Sequence, residues 1–420
     1  MNVFLREVSR ELGRMGHRLD VFTRRDHPDQ PAVVEIDEGV RLIHLSAGPA
    51  ASRSRNQISR HIPQMTQALM EWPADAYDVI HAHYWISGAA GRAWTAGSGI
   101  PLVQMFHTME RTKRRLLGDL HIEDTRRSGE EDSLGRSADA LTVGSRRDRD
   151  SLASDYRIPA GKIHIVPGGV NPDVFFPQDQ AVAQTRADLP KGRVVLFVGR
   201  IEPVKGLETL IRALTLLRRQ EGDHCNWNLV IIGGSPHPAH SQNGGRRENG
   251  MPASEADEQT YPGKIRKLID DLGMSDRVTF LGSKPQQVLA DYYAAADCCV
   301  FPSRYETFGL AVIEALSCGA MVVASDVGGY PRMMAQERAG LLVPAGDGHA
   351  LAKALDQVCA ESALREDLRR RAPAVGRRFA WKDTARRLLE VYQSLIDNRP
   401  GFVGRARNDD GSRRGTAIHG

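Results

Sequence analysis

The sequence has no uninterrupted apolar run approaching the roughly 20 residues that cross a bilayer, so no transmembrane helix is expected. Nor does it open on a charged and then apolar leader: Met1 enters an amphipathic helical pattern directly, and a cytoplasmic protein is expected. Cysteine is scarce. Five among 420 residues, two of them adjacent at Cys298 and Cys299 in an apolar run, suggest reduced thiols filling a core and exclude a disulfide framework. Charge of one sign is scarce too. The formal net charge is +4, and residues 399–420 carry five Arg against two Asp, so the remainder is almost neutral and nucleic-acid binding is not indicated. Metal-ligand sets are missing as well. His81 and His83 alternate along an apolar run and share one face, but no Cys, Asp or Glu at ligand spacing completes a site, so neither a metal nor a cofactor is expected.

What is present is a large globular chain. Its length exceeds what one hydrophobic core usually serves, and 41% apolar residues suffice for two buried sheets. Apolar, β-rich runs alternate with helical patterns, which argues for doubly wound parallel sheets. The strands expected are 18–23, 40–45, 79–83, 102–106, 140–143 and 163–166, then 194–198, 228–232, 278–280, 298–301, 321–324 and 340–343. A Pro/Asp-rich joint at 171–179 divides the chain into domains 1–177 and 178–379. Residues 235–260, rich in Pro, Gly, Ser and His, read as a flexible insertion, 380–396 as a final amphipathic helix, and 399–420 as a disordered tail.

Two constellations carry chemistry. Glu306-Thr-Phe-Gly-Leu-Ala-Val-Ile-Glu314 lies between two apolar runs and reads as a strand end, a turn at Phe308-Gly309 and a helix from Leu310 that Gly319 stops. The free N–H groups and positive dipole at that helix start form an anion site, and the carboxylates of Glu306 and Glu314 flank it. A ligand with hydroxyls on both sides of a phosphate, such as a nucleotide sugar, suits that pattern; a solvated glutamate pair is the bland alternative. Upstream, Val194-Val-Leu-Phe-Val198 runs into Gly199-Arg-Ile-Glu-Pro-Val-Lys-Gly206. Arg200 and Lys205 are thereby presented at the carboxyl end of a parallel strand, where open α/β sheets bind ligands, and two fixed cations there suit a diphosphate.

These motifs resemble the retaining group 1 glycosyltransferases with the GT-B fold, whose donor signature is a G-R-x4-K-G loop followed by E-x7-E. The resemblance runs from Met1 to about residue 395. It is closest to the branch holding sucrose-phosphate synthase and the inositol-phosphate N-acetylglucosaminyltransferase of mycothiol synthesis, through Asp78-Val-Ile-His-Ala-His-Tyr-Trp-Ile-Ser-Gly88, His107-Thr108, Arg126-x2-Gly129-Glu130 and Val166-Pro-Gly-Gly-Val-Asn-Pro-Asp-Val-Phe175. The fold it implies is two Rossmann-like domains facing a cleft, with the final helix returning to the first. The activity it implies is transfer of a hexosyl group from a nucleotide-diphosphate sugar, UDP-linked by expectation, to a small hydroxylated acceptor, with or without a phosphate.

In residue terms the resemblance implies Arg200 and Lys205 at the departing diphosphate, Glu306 and His107 at the donor sugar, Glu314 at the ribose, and Asn2, Gly199, Thr307, Phe308, Gly309 and Leu310 along the donor. Tyr84, Thr108, Arg126, Arg55 and Lys113 resemble the acceptor positions. Arg53, Arg55, Arg60, the run Arg111–Arg115 and Arg126-Arg127 supply a charge signal of their own: an anionic acceptor accounts for it, and so does a solvated basic face.

The pattern departs at the start. Met1-Asn2-Val3-Phe4 matches the end of the family's opening glycine-rich loop, while the preceding strand and glycines are absent, so the first sheet is expected to lack its central strand and the chain to be impaired. Asn171 stands where the family commonly has Asp. Two further functions fit the same residues: a sugar-nucleotide epimerase or hydrolase of the same fold, and a non-catalytic nucleotide-sugar-binding relic.

Overall fold

A computed structural model describes residues 2–118, 126–220, 226–234, 260–398 and 415–419. Every strand expected from the sequence forms. The first unit comprises Met1–Gly169 and Trp381–Gly420, the second Val170–Ala380. The joint belongs to the second unit, because Val170 and Phe175 are buried in its core and Val170 bridges to Ala380. The expected boundary at 177 is therefore corrected to Gly169.

The first unit contains β1 (Arg18–Arg24), β2 (Val33–Asp37), β3 (Val40–Leu45), β4 (Tyr77–His83), β5 (Leu102–Met105), β6 (Ala140–Val143) and β7 (Ile163–Ile165). The second contains β8 (Arg193–Val198), β9 (Trp227–Ile232), β10 (Val278–Gly282), β11 (Cys298–Phe301), β12 (Val322–Ser325) and β13 (Leu341–Val343), in the order β10-β9-β8-β11-β12-β13 and parallel throughout. Helices cover both faces of that sheet, so successive residues alternate between two cores: Val194 and Leu196 join one, Val195 and Phe197 the other.

The first sheet runs β2-β3-β1-β14-β4-β5-β6-β7, where β14 is Gly415–His419. This corrects two expectations. The end of the tail is a strand, and the central place expected to stand empty is taken by it. β14 is parallel to both neighbours, with Ala417 opposite Asp20 on one side and Ile80 on the other. The physical reason is the cost of the alternative: an empty slot would leave two buried rows of backbone N–H and C=O groups without partners. Among the described strands of this sheet only β2 is antiparallel, at the edge.

One face of this sheet carries the core of Phe22, Ile43, Ile80, Ala82 and Leu141. The helices Asn2–Arg14 and Trp381–Asp397 lie on the other, where the Phe4 and Trp381 rings meet edge to face at 5.6 Å. Cys298, Cys299 and Cys318 are free and buried. Cys359 is disulfide-bonded, which corrects the expectation of reduced thiols throughout. Of the expected insertion only residue 260 is described, and there Thr260 caps the helix Tyr261–Asp271; 235–259 and 399–414 lie outside the described residues.

Candidate active site

In the second unit the chain leaves β8 through Gly199 and Arg200 and makes a short 3-10 turn, Pro203–Lys205, that Gly206 closes at φ 68°. A Cβ at Gly206 would stand 1.9 Å from the Pro302 carbonyl oxygen, so glycine alone lets the loop after β8 lie against the loop after β11. The Arg304 N–H donates to the Val204 carbonyl at 2.8 Å and laces the two loops together. Lys205 Nζ consequently reaches Glu306 Oε2 at 2.5 Å. The Tyr330 hydroxyl donates to the same carboxylate oxygen at 3.3 Å, and the Thr307 N–H to the other at 3.3 Å. Burial pushes the Glu306 carboxyl up, but the charge and hydrogen bond of Lys205, with Thr307 and Arg200, outweigh it and hold the group below its usual range.

The helix Leu310–Ser317 starts two residues beyond Phe308, behind Gly309 at φ 98°, and no side chain caps its first amides. A Cβ on Gly309 would meet the Tyr330 ring at 2.0 Å. Those amides, with Lys205 and Arg200 nearby, make a positive lip able to hold a phosphate oxygen. Arg200 is exposed and pairs with Glu202 at 2.8 Å. Glu314, a turn inside the helix, is 8% exposed. It accepts from Gln286 Nε2 at 3.2 Å and from the Tyr293 hydroxyl at 3.1 Å, and burial lifts its pKa to about 7. Gly199 donates its N–H to the Ile232 carbonyl at 3.0 Å, and the Phe308 ring packs edge to face on Phe379 at 5.5 Å.

In the first unit β4 ends at His83, and Tyr84 follows at φ 74° as the cap of the helix Trp85–Thr95. The Tyr84 N–H donates to the Met105 carbonyl at 2.7 Å, and Gln104 Nε2 donates to the Tyr84 carbonyl at 3.2 Å. Arg127 lies 4.9 Å over the Tyr84 ring and donates to its hydroxyl at 3.2 Å; Arg55 lies 5.3 Å over the same ring. Arg127 also donates to Thr108 Oγ1 at 3.0 Å and pairs with Glu131 at 2.7 Å while fully buried. Its exposed neighbour Arg126 reaches Ser59 Oγ at 2.9 Å. His107, half-buried at φ 60°, comes within 2.9 Å of His83. Lys113 is buried in the helix Glu110–Leu117, and Asn2 is exposed at the start of the helix Asn2–Arg14. Thus Tyr84, Thr108, Arg55 and Arg127 form one cluster, with Arg126 next to it in sequence.

Residues 182–375 match the family described as Glycosyl transferases group 1, and residues 1–174 the one described as Glycosyltransferase Family 4. The chain is 36% identical over 406 residues to a D-inositol 3-phosphate glycosyltransferase of Jonesia denitrificans, spanning 94% of this chain and 90% of that one. The chain belongs to the group 1 glycosyltransferases. A D-inositol 3-phosphate glycosyltransferase of Nocardiopsis dassonvillei is 35% identical over 402 residues, 94% of this chain and 89% of that one. Among solved structures, sucrose-phosphate synthase from Thermosynechococcus elongatus matches with a TM-score of 0.81 at 30% identity, over 94% of this chain and 93% of that one. HepE of Anabaena, solved with UDP and glucose, shares the fold at a TM-score of 0.66 and 19% identity, over 90% of this chain and all of that one. Two parallel-sheet α/β units are the architecture of this glycosyltransferase, and no described helix is long and apolar enough to cross a membrane.

Several residues of this glycosyltransferase's site region escaped the sequence reading. Arg127 reads in the sequence only as part of the basic run, although its spacing to Glu131 is that of a helical ion pair. Tyr330, Gln286 and Tyr293 bear on Glu306 and Glu314 only through tertiary contact, and nothing in their local sequence marks them. His81 spends both ring nitrogens on neighbours, Nδ1 at 2.7 Å from the Tyr392 hydroxyl and Nε2 at 3.2 Å from Thr142 Oγ1.

Proposed function

We propose that this glycosyltransferase moves a hexosyl group, with retention, from a nucleotide-diphosphate sugar to a small hydroxylated acceptor that carries a phosphate. The observation that carries the reading is the Lys205–Glu306 pair beside the uncapped start of the helix Leu310–Ser317. A cation, a carboxylate and free amides meet there, as a diphosphate joined to a polyhydroxylated ring requires. Arg200 and Lys205 stabilise the departing diphosphate together with the amides after Thr307, at Phe308, Gly309 and Leu310. Glu306 holds sugar hydroxyls, Glu314 the ribose, and His107 positions the transferred sugar. Asn2 and Gly199 line the donor. The bond from the anomeric carbon to the phosphate oxygen breaks as the acceptor oxygen bonds to the same face, and the acceptor's proton passes to that phosphate oxygen. A UDP-linked donor is the one expected from the resemblance.

For the acceptor, the names of the Jonesia and Nocardiopsis relatives and of the Thermosynechococcus neighbour all include a phosphate. The exposed guanidinium groups of Arg126, which reaches Ser59, and of Arg55, which lies over the Tyr84 ring, suit one, and the resemblance adds Thr108 and Lys113 to the acceptor positions. Mass spectrometry of a matrix of nucleotide sugars against inositol phosphates, hexose phosphates and their dephosphorylated forms tests this. The expected result is a product heavier by one hexosyl residue with stoichiometric nucleoside diphosphate, and only with phosphorylated acceptors. Nucleoside diphosphate released equally without acceptor would replace transfer by hydrolysis, and equal use of neutral polyols would remove the phosphate from the proposal.

A further inference from the structure

The two histidines set aside as a metal pair lie in a different arrangement. β4 and β5 run in parallel with His83 opposite Met105, so the strand-end residue His83 and His107, two positions past Met105, come side by side. Their rings stand 5.1 Å apart at 32°, with His83 Nδ1 2.9 Å from His107 Nε2. His83 is 1% exposed, His81 stacks on its other side at 4.2 Å, and the Phe4 ring closes on both His83 and His107 at 5.8 Å. His81 is itself anchored at both nitrogens by Tyr392 and Thr142. Between two imidazoles at this distance one nitrogen must donate and the other accept, so the protonation of one fixes the tautomer of the other. Burial pushes the His107 imidazole well below its ordinary value, which favours its neutral form.

We propose that His83 is a positioning residue for the transfer reaction: it occupies His107 Nε2, fixing one tautomer and ring orientation, so that Nδ1 is the nitrogen His107 offers to the sugar. The anchored His81 and the Phe4 ring hold His83 in turn. A mere packing role would be met by any side chain of the right shape, whereas this role needs a hydrogen-bonding atom where Nδ1 stands.

This inference rests on the transferase reading for its kinetic arm alone. His83→Leu removes the bond, and kcat is expected to fall about ten- to a hundredfold with little change in either KM, as displacement of a catalytic group does. His83→Asn sets an amide atom near the Nδ1 position and restores most of the loss; His83→Gln, whose amide lies further out, does not. The second arm is long-range 15N–1H NMR of the whole chain with labelled histidine, the His107 signals assigned through their loss in His107→Gln. Wild type is expected to show His107 as one neutral tautomer and His83→Leu a mixture of two. If His83→Leu does not fold, the Asn and Gln variants carry both arms. Wild-type kcat in folded His83→Leu, an Asn variant no better than Leu or Gln, or a His107 tautomer unchanged in the variant that removes the bond would overturn the proposal. Because NMR reads the tautomer without turnover, absence of activity in wild type would count against the transferase reading and leave this assignment decided by the spectra.

Discussion

The two units build similar parallel sheets from differently distributed chain. The second draws its six strands from one continuous stretch, 193–343, and seals both faces with apolar cores. The first closes its sheet with β14, from the far end of the sequence, between β1 and β4. Their chemical groups differ as well. In the second unit charged groups face one another on glycine-built loops, Lys205 with Glu306 and Arg200 with Glu202. In the first, two imidazoles pair with each other and guanidinium groups stack on Tyr84. A sheet needs only a partner for every backbone group, and it accepts that partner from anywhere in the chain. A charged pair such as Lys205–Glu306 needs two loops in close contact, and the glycine at 206 permits that approach.

The largest effect should come from breaking the first sheet. Deleting 399–420 removes a ladder on both sides of the central place, and each buried backbone group left without a partner costs about 1–3 kcal/mol. The sum approaches the whole stability of a domain, about 5–15 kcal/mol. Hydrogen exchange should then rise across β1 and β4 while β8 and β11 keep their protection; equal protection of β1 and β4 with and without the tail would show β14 to be dispensable.

Next is Lys205→Ala. Loss of a preorganised charge at a leaving group lowers kcat by about a hundredfold or more. Two apolar cores hold the second unit without Lys205, so its thermal midpoint should move little, and the freed Glu306 carboxyl should titrate higher. Near wild-type turnover in the folded variant would dissociate this ion pair from the chemistry.

Smaller, and confined to the first unit, is Arg126→Ala. A charge-assisted contact is worth about 1.5–3 kcal/mol, so the KM for a phosphorylated acceptor should rise about ten- to a hundredfold with the donor KM unchanged. Steady-state kinetics with each substrate varied in turn decides it; an unchanged acceptor KM would assign Arg126 to a solvated face.

The smallest effect is a pH dependence in the second unit. Glu314 has a pKa of about 7 in the folded chain, raised from 4.5 by burial. The sign for stability follows from linkage: the contribution is full below the ordinary carboxylate range and is lost as pH rises to about 7. For ligand binding the sign reverses, because the ionised carboxylate accepts hydroxyl hydrogen bonds more strongly than the acid does. Calorimetric affinity for the nucleotide should therefore strengthen by severalfold between pH 6 and 8, and the step attributable to Glu314 should vanish in Glu314→Gln. A step that survives in the variant belongs to the ligand's own phosphate.

Much of this was legible in order along the chain. Runs such as Val194–Val198 and Cys298–Phe301 are buried on both faces, so their composition alone betrays them as strands. Glycine before Arg200 and glycine at 309 mark loop positions by local conformation, which is why the donor loops could be placed in sequence. β2 went unseen because its exposed edge position asks for no apolar run, and β14 because five residues rich in small side chains carry no pattern of their own. The sequence marks Arg127 as one of a basic run and does not mark its burial; it is fully buried because Glu131, Thr108 and Tyr84 satisfy it there.

By itself the sequence determined the local terms: which runs become strands, where each helix begins, and which cations and carboxylates stand at strand ends. Those follow from side-chain periodicity and backbone preference, which act over a few residues. Only the tertiary structure decided that Lys205 meets Glu306, that Tyr330 donates to the same carboxylate, that His83 takes up a nitrogen of His107, and that the tail fills the sheet. These depend on distances between segments far apart in the chain, set by close packing and by the demand that buried polar groups find partners.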